Sequence, residues 1–448
     1  MRGLLNWLRE HGTDVSKLLF LAAGLYGIFC AVQYPPQFGP PTEMGNVAEN
    51  IAKSGSFANP FFVLQTGPTA AIPPLYPFFL AGLMKLLNNS SLVYWAAIMG
   101  CILADSCVAA LLPRMSILFY GDLLPGVIAS VLWIAAMPII PSYDVSYTVL
   151  GLLCFCLLTW KSTNEVRGVM QVAVIGGLIA AAVTLSNPAT LLVTIPWLIF
   201  VIWRGTNPLK RRAAVGVVII AILSLPTSFW AIRNYEVLGA FALRITMGMT
   251  LYASNNDCAE TDIFRDQLYG CYGAHHPNTS IEEASLLRSL GEVDYDRERI
   301  KDVEKWAYEH PHRFVLLTMK RMLRFWFPER LPSPAEILKK GGYEIPDLVR
   351  EWIAHRNWVV CVICSITALS IPGLFLMARH RLPITLYIGF VMAVYPLMYY
   401  IVIADVRFRY PVLWLSLLPA GYFLSLLLDR SRPRSTPRGA IGAPVSEN

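Results

Sequence analysis

The sequence predicts an all-α polytopic membrane protein with about ten transmembrane helices, and three observations carry that prediction. Its 448 residues are 55% hydrophobic and only 15% charged, where soluble domains carry about 25% charged residues. Mean hydropathy is +0.49, which excludes a disordered or fibrous chain and argues against an ordinary soluble enzyme. The basic residues behind the net charge of +7 gather in short segments between apolar runs, as membrane topology requires. That placement removes the support a positive charge would lend to nucleic-acid binding.

Crossing about 30 Å of hydrocarbon takes roughly 17–25 apolar residues. Such runs, several of them short, occupy Lys17–Tyr34, Leu92–Leu112, Leu124–Pro141, Val145–Trp160, Gly168–Ser186, Ala189–Trp203, Ala213–Ile232, Trp358–Met377, Pro383–Val402 and Pro411–Leu428. No small-x-small cleavage site follows the first run, so it is expected to remain as a span. Another run, Pro74–Leu87, covers only about 21 Å as a helix and is too short to span. With that run lying along the interface, both termini are cytoplasmic and the inward short segments hold sixteen Lys and Arg residues. The outward short segments then hold only Lys53, Lys85, Arg407 and Arg409, the bias expected of a cytoplasmic membrane protein.

Two outward segments follow from this topology. Residues 35–91 contain a helical stretch Glu43–Lys53, a Gly/Pro-rich passage and the interfacial run. Residues 233–356 carry 17 basic and 19 acidic side chains with helical periodicity over Glu282–Phe327, which predicts a small, mostly helical extracytoplasmic domain. Residues 1–232 form an N-terminal transmembrane module, 357–428 the C-terminal helices, and 429–448 a tail disordered by composition. Cys258 and Cys271 stand in the long polar stretch and are expected to form a disulfide in an oxidising compartment.

Few side chains here suit chemistry. Glu43 begins a helix that Thr42 can cap. It complements the positive helix N-terminus and, at the membrane boundary, also suits a lipid headgroup. Asp144, in PSYDVSY, lies on the same outward side. The two carboxylates suit a general base and a metal ligand or orienter; whether a divalent metal takes part stays open. Asp105, within CILADSCVAALL, is expected to face the bundle and find Ser106 or a neighbouring helix. Arg407 and Arg409, in ADVRFRYPV, oppose the charge bias and suit a lipid-linked phosphate. Arg233 marks the exit of another span, where snorkelling is its simplest role. His275, His276, His310 and His312 make no standard zinc pattern. No GxGxxG, P-loop or HExxH motif is present, so a soluble nucleotide has no visible seat.

Taken in order, TEMGNVAENIAKSGSF, TGPTAAIPPLYPFFLAGLMKL, PSYD, SFWAIRNYEVLGAF, TLYASNN, EHPHRFVLLTMKRMLRFW and RFRYPVLWLSLLPAGY resemble the GT-C membrane glycosyltransferases. The nearest types are the dolichyl-phosphate-mannose protein mannosyltransferases and the lipid A aminoarabinose transferase. The resemblance runs in register from about Lys17 to Leu428. It implies juxtamembrane helices in the first outer loop, a lipid-linked sugar donor and an acceptor on the outer face. It also implies a loop carboxylate as base or metal ligand, and arginines, here Arg407, Arg409 and Arg233, on the carrier phosphate. The usual first motif reads roughly Asp-x-x-x-Tyr-x-x-x-Ala; aligned on Ala48, this chain has Pro40 and Met44 at the first two positions. Either Glu43 takes the place of that aspartate, or the chain is catalytically altered.

The expectation is therefore an inner-membrane glycosyltransferase with an extracytoplasmic site built on Glu43 and Asp144. Its partners would be a polyprenyl-phosphate-linked sugar, membrane lipids, and a protein, lipid or glycan acceptor, with no nucleic acid. The rival readings are a lipid or sugar transporter and an inactive protein of the same fold.

Overall fold

The computed structural model describes residues 11–33, 42–138, 144–164, 169–341 and 347–428. Pro40, residues 141–143 of the PSYD segment and the tail from 429 lie outside them. Helices follow one another as α1 (Gly12–Gln33), α2 (Glu43–Ser54), α3 (Leu75–Leu87), α4 (Ser90–Tyr120), α5 (Leu124–Ala135), α6 (Val145–Asn164) and α7 (Val169–Ser186). Next come α8 (Leu191–Arg204), α9 (Leu209–Leu238), α10 (Met247–Ser254), α11 (Ile263–Tyr269), α12 (Tyr272–His275), α13 (Ile281–Leu290), α14 (Glu292–Glu309) and α15 (Pro311–Trp326). The chain closes with α16 (Pro334–Gly341), α17 (Asp347–Arg379), α18 (Ile384–Val394), α19 (Leu397–Tyr400) and α20 (Tyr410–Leu428).

Among the described residues, α1, α4, α6, α7, α9, α17 and α20 are long and apolar enough to cross a membrane. The shorter apolar helices α5, α8 and the α18–α19 pair occupy the other expected spans. Proline explains why these differ from the expected runs. A short 3-10 turn at Pro188–Thr190, which Asn187 caps, precedes α8. Pro396 lies between α18 and α19 and lacks the N–H that would continue the ladder. Helix α3 has 13 residues, about 20 Å, and packs on α2 and α4 with Phe78 and Phe79 exposed.

Helix α20 lies at the centre of the bundle, against α17, α5 and α6. Trp414 on it, and Trp133 and Trp197 in the same core, are fully buried. Without a hydrophobic drive between helices in lipid, close backbone approach through small residues supplies the packing. A Cβ on Gly373 would strike the carbonyl of Pro419, and one on Gly421 would strike that of Pro125. Gly421→Leu is therefore expected to abolish the monodisperse folded protein in detergent, read by size-exclusion chromatography. An unchanged profile would show that α5 and α20 are free to separate.

Residues of the first loop and of the segment after α9 meet at one end of the bundle. Met44, Val47, Ala48 and Ile51 recur at helical spacing on α2, which Thr42 caps through Gly45 N–H at 3.2 Å. They share one apolar core with Tyr76 of α3, Trp230 of α9, Leu287 of α13 and Tyr295 of α14. Thr69 Oγ and Ala70 N–H donate to the buried Glu292 carboxylate at 3.0 and 2.7 Å. Burial pushes the Glu292 pKa up to about 7, against the pull of these bonds. Cys258 and Cys271 are joined by a disulfide with Cα atoms 5.7 Å apart, within the ordinary range.

Candidate functional site

Glu43 opens α2, where the Thr42 cap fixes the start of the helix. Its Oε1 accepts a hydrogen bond from the Asn278 side-chain amide, 235 residues further along the chain. Asn278 belongs to a turn closed by Thr279 N–H and Ser280 N–H donating to the His276 carbonyl at 3.0 and 2.9 Å. Within that turn His276 Nδ1 accepts from Asn278 N–H at 3.1 Å, so a neutral ring carries its proton on Nε2. The ring is stacked on Tyr272 at 4.8 Å and meets Phe61 edge-on at 6.1 Å. Burial lowers the His276 pKa to about 4, with Glu43 raising it and Arg407 lowering it. The imidazole is therefore neutral at physiological pH, and it lies within the field of both residues.

Asp144 precedes α6, and its Oδ2 accepts from Thr148 Oγ at 2.6 Å. Burial raises the Asp144 pKa; the Thr148 bond and the charges of Arg244 and Arg407 lower it. Arg244 lies in the segment between α9 and α10. Its Nε donates to the Ala71 carbonyl at 2.8 Å, which anchors the guanidinium on the first loop. The side chain is exposed. Enclosure lowers its pKa, Tyr399, Glu43 and Asp144 raise it, and Arg407 lowers it. A guanidinium remains charged under any such shift. Tyr399, partly buried, stacks on Phe408 at 4.7 Å.

Arg407 sits in the 3-10 turn Val406–Phe408, which Asp405 caps through Arg407 N–H at 2.9 Å. Arg407 Nε also pairs with Asp405 Oδ2 at 3.1 Å. This turn is tied to α11 by Ile263 N–H donating to the Ala404 carbonyl at 3.1 Å, and Ala404 N–H to that of Thr261 at 2.9 Å. Glu43, Asp144 and Arg407, each on a different element, all act electrostatically on Arg244.

Arg409 and Arg233, expected on a phosphate, are held elsewhere by backbone carbonyls. Arg409 is 2% exposed, and its Nη1 donates to the Trp326 and Phe325 carbonyls at 2.6 and 3.3 Å. Nη2 reaches Ser416 Oγ at 3.3 Å. Burial lowers its pKa to about 9. Arg233 donates to the Thr69 and Phe57 carbonyls at 2.8 and 3.2 Å, and its guanidinium lies over the Phe57 and Trp230 rings. Both arginines lock polypeptide segments together. Asp105 is fully buried and accepts from Ser146 Oγ at 3.0 Å, a packing role.

Sequence reasoning passed over Arg244, Asn278 and Tyr399. Arg244 gave little signal, being one of 17 basic residues in segment 233–356. Among the described residues no three His, Cys, Asp or Glu side chains form a ligand group. What the arrangement can do is accept a proton on a carboxylate beside a doubly cationic seat for an anion.

No protein-family model and no curated protein sequence matches the chain. Solved structures do. An archaeal oligosaccharyltransferase, AglB of Archaeoglobus fulgidus in complex with an inhibitory peptide and a dolichol-phosphate, matches 95% of this chain and 51% of its own, at TM-score 0.51 and 13% identity. The same organism's oligosaccharyltransferase in complex with Zn and sulfate matches at TM-score 0.52 and 14% identity, covering 92% of this chain and 49% of that one. The chain spans about half the length of the proteins it matches. At such identity the likeness is one of fold alone, and it is the fold of these oligosaccharyltransferases.

Proposed function

We propose that this protein transfers a sugar from a polyprenyl-phosphate carrier to a hydroxyl or amide acceptor at the membrane surface. The observation that carries the reading is that Glu43, held by Asn278 across two loops, and Asp144 and Arg407 all act electrostatically on Arg244. In the reaction, Glu43 takes the acceptor's proton as its oxygen or nitrogen bonds to the anomeric carbon. The bond from that carbon to the phosphate oxygen breaks, and its electron pair leaves with the polyprenyl phosphate. Arg244 and Arg407 hold the departing charge, where preorganised cations favour the transition state. Asn278 occupies Oε1 of Glu43 and so orients the carboxylate. Asp144 supplies counter-charge to Arg244 and fixes its place.

The sixteen basic residues in one set of short loops support cytoplasmic termini and an extracytoplasmic site in the inner membrane. Mass spectrometry of envelope glycans and lipid-linked sugars, with and without the gene, tests the reading. Deletion should remove one glycan and raise the level of one polyprenyl-phosphate sugar. If both pools are unchanged, the protein is not such a transferase.

A further inference from the structure

Helix α15 has three distinct faces. Leu317, Arg321 and Phe325, at four-residue steps, are buried against the protein. Beside them Lys320 is exposed, while Arg313 donates to the Asn256 and Ala259 carbonyls, both at 3.4 Å, and Arg324 pairs with Glu329 at 3.0 Å. The remaining face carries Val315, Leu316, Met319, Met322 and Leu323, which are 53%, 43%, 59%, 45% and 55% exposed. At 3.6 residues per turn these five fall on about a third of the helix circumference. An uninterrupted apolar stripe of this kind, flanked by an exposed lysine, matches a helix held at a bilayer surface.

The course of the chain after α15 fixes how deep that helix reaches. Trp326 O accepts from Thr367 Oγ at 2.8 Å, and Thr367 lies within the apolar run of α17 that begins at Trp358. The distance along α17 from Trp358 is roughly 14 Å. The chain then climbs back along the same helix. Pro328 O meets Cys364 at 3.6 Å, the Arg330 guanidinium meets Cys361 at 3.1 Å, and Leu331 N–H donates to Asn357 Oδ1 at 2.7 Å. Irregular backbone survives at membrane depth only where protein satisfies it. Thr367 and Arg409 do this for Trp326 O, and Arg409 also for Phe325 O.

We propose that α15 and the segment to Leu331 form a re-entrant limb in the half of the bilayer nearest the first loop. Its Val315–Leu323 stripe lies against acyl chains, with Lys320 toward the phosphate layer. Lipid is the occupant because the stripe continues a lipid-facing surface: α15 packs on α19, whose Leu397 and Met398 are exposed at 56% and 39%. Lys320, exposed beside the stripe, adds a cation for anionic headgroups. This placement also gives Arg409 its purpose. A cation at the C-terminus of a helix neutralises its dipole, and here that terminus is inside the membrane. The inference does not depend on the transferase reading.

The test uses the full chain in liposomes containing anionic phospholipid, with nitroxide labels on Met319→Cys, Leu323→Cys and, as the aqueous reference, Glu304→Cys on exposed α14. Signal from the chain without an added cysteine is subtracted. Labels at 319 and 323 should relax with oxygen more than with an aqueous nickel chelate, and the label at 304 the reverse. Unmodified protein should also form photo-crosslinks to a diazirine phospholipid within 315–323, which removes any dependence on the variants folding. Nickel access at 319 and 323 equal to that at 304 would overturn the limb. So would spin–spin broadening between copies at those positions, which would assign the face to self-association.

Discussion

Glu43→Gln is expected to lower sugar transfer by about 10²–10⁴-fold, the usual contribution of a positioned general base. The amide keeps the size of the carboxylate and can still pair with Asn278, so α2 and its shared core should remain intact. What it loses is the ability to accept the acceptor's proton. Donor affinity, measured with a polyprenyl-phosphate sugar on protein in liposomes, should change little, because the phosphate is assigned to Arg244 and Arg407. A Glu43→Gln variant that turns over at the original rate would remove Glu43 from the mechanism. It would also leave the chain as one of this fold that uses another base, or none.

The spans were legible because bilayer crossing is a property of local composition. Shortness together with the basic-residue tally set α3 apart from them, and the two cysteines of the polar stretch could be paired on spacing and compartment. The site was legible only in part. Glu43, Asp144 and Arg407 stood out as charges in a charge-poor chain at the outward boundary. Arg409 stood out for the same reason and has a different explanation. A cation against the charge bias can serve a phosphate or a buried helix end, and the choice rests on Trp326, 83 residues away. Arg233 likewise serves carbonyls of the first loop, 164 and 176 residues distant. Asn278 was invisible for that reason too, since nothing local marks an asparagine in a polar turn as the partner of a carboxylate in another loop. Arg244 was hidden differently: its charge disappeared into the balanced sum of a segment with 17 basic and 19 acidic residues.

Arg244→Ala is expected to weaken donor use by about 10²–10³-fold, the scale for removing one preorganised contact to developing charge. Its Nε is anchored on Ala71 O, which leaves the two Nη groups for a phosphate as a planar fork. The same guanidinium also balances Asp144 and Glu43, so its loss has two possible consequences, and Arg244→Lys separates them. Lysine restores the charge without the fork. If Arg244 clamps phosphate, the lysine variant keeps the counter-charge but still shows a raised KM for the donor. If it only neutralises Asp144, lysine restores activity fully, and Asp144→Asn combined with Arg244→Ala is no worse than either single change. The clamp predicts instead that the double variant falls below Asp144→Asn alone because the two losses add, which a double-mutant cycle reads directly. Because Asp144 is buried and loses a charge partner in Arg244→Ala, its pKa should rise further in that variant. The activity it retains should then reach its plateau at a higher pH than in the unmodified protein. Unchanged donor KM and an unchanged pH profile in Arg244→Ala would place the phosphate outside this site.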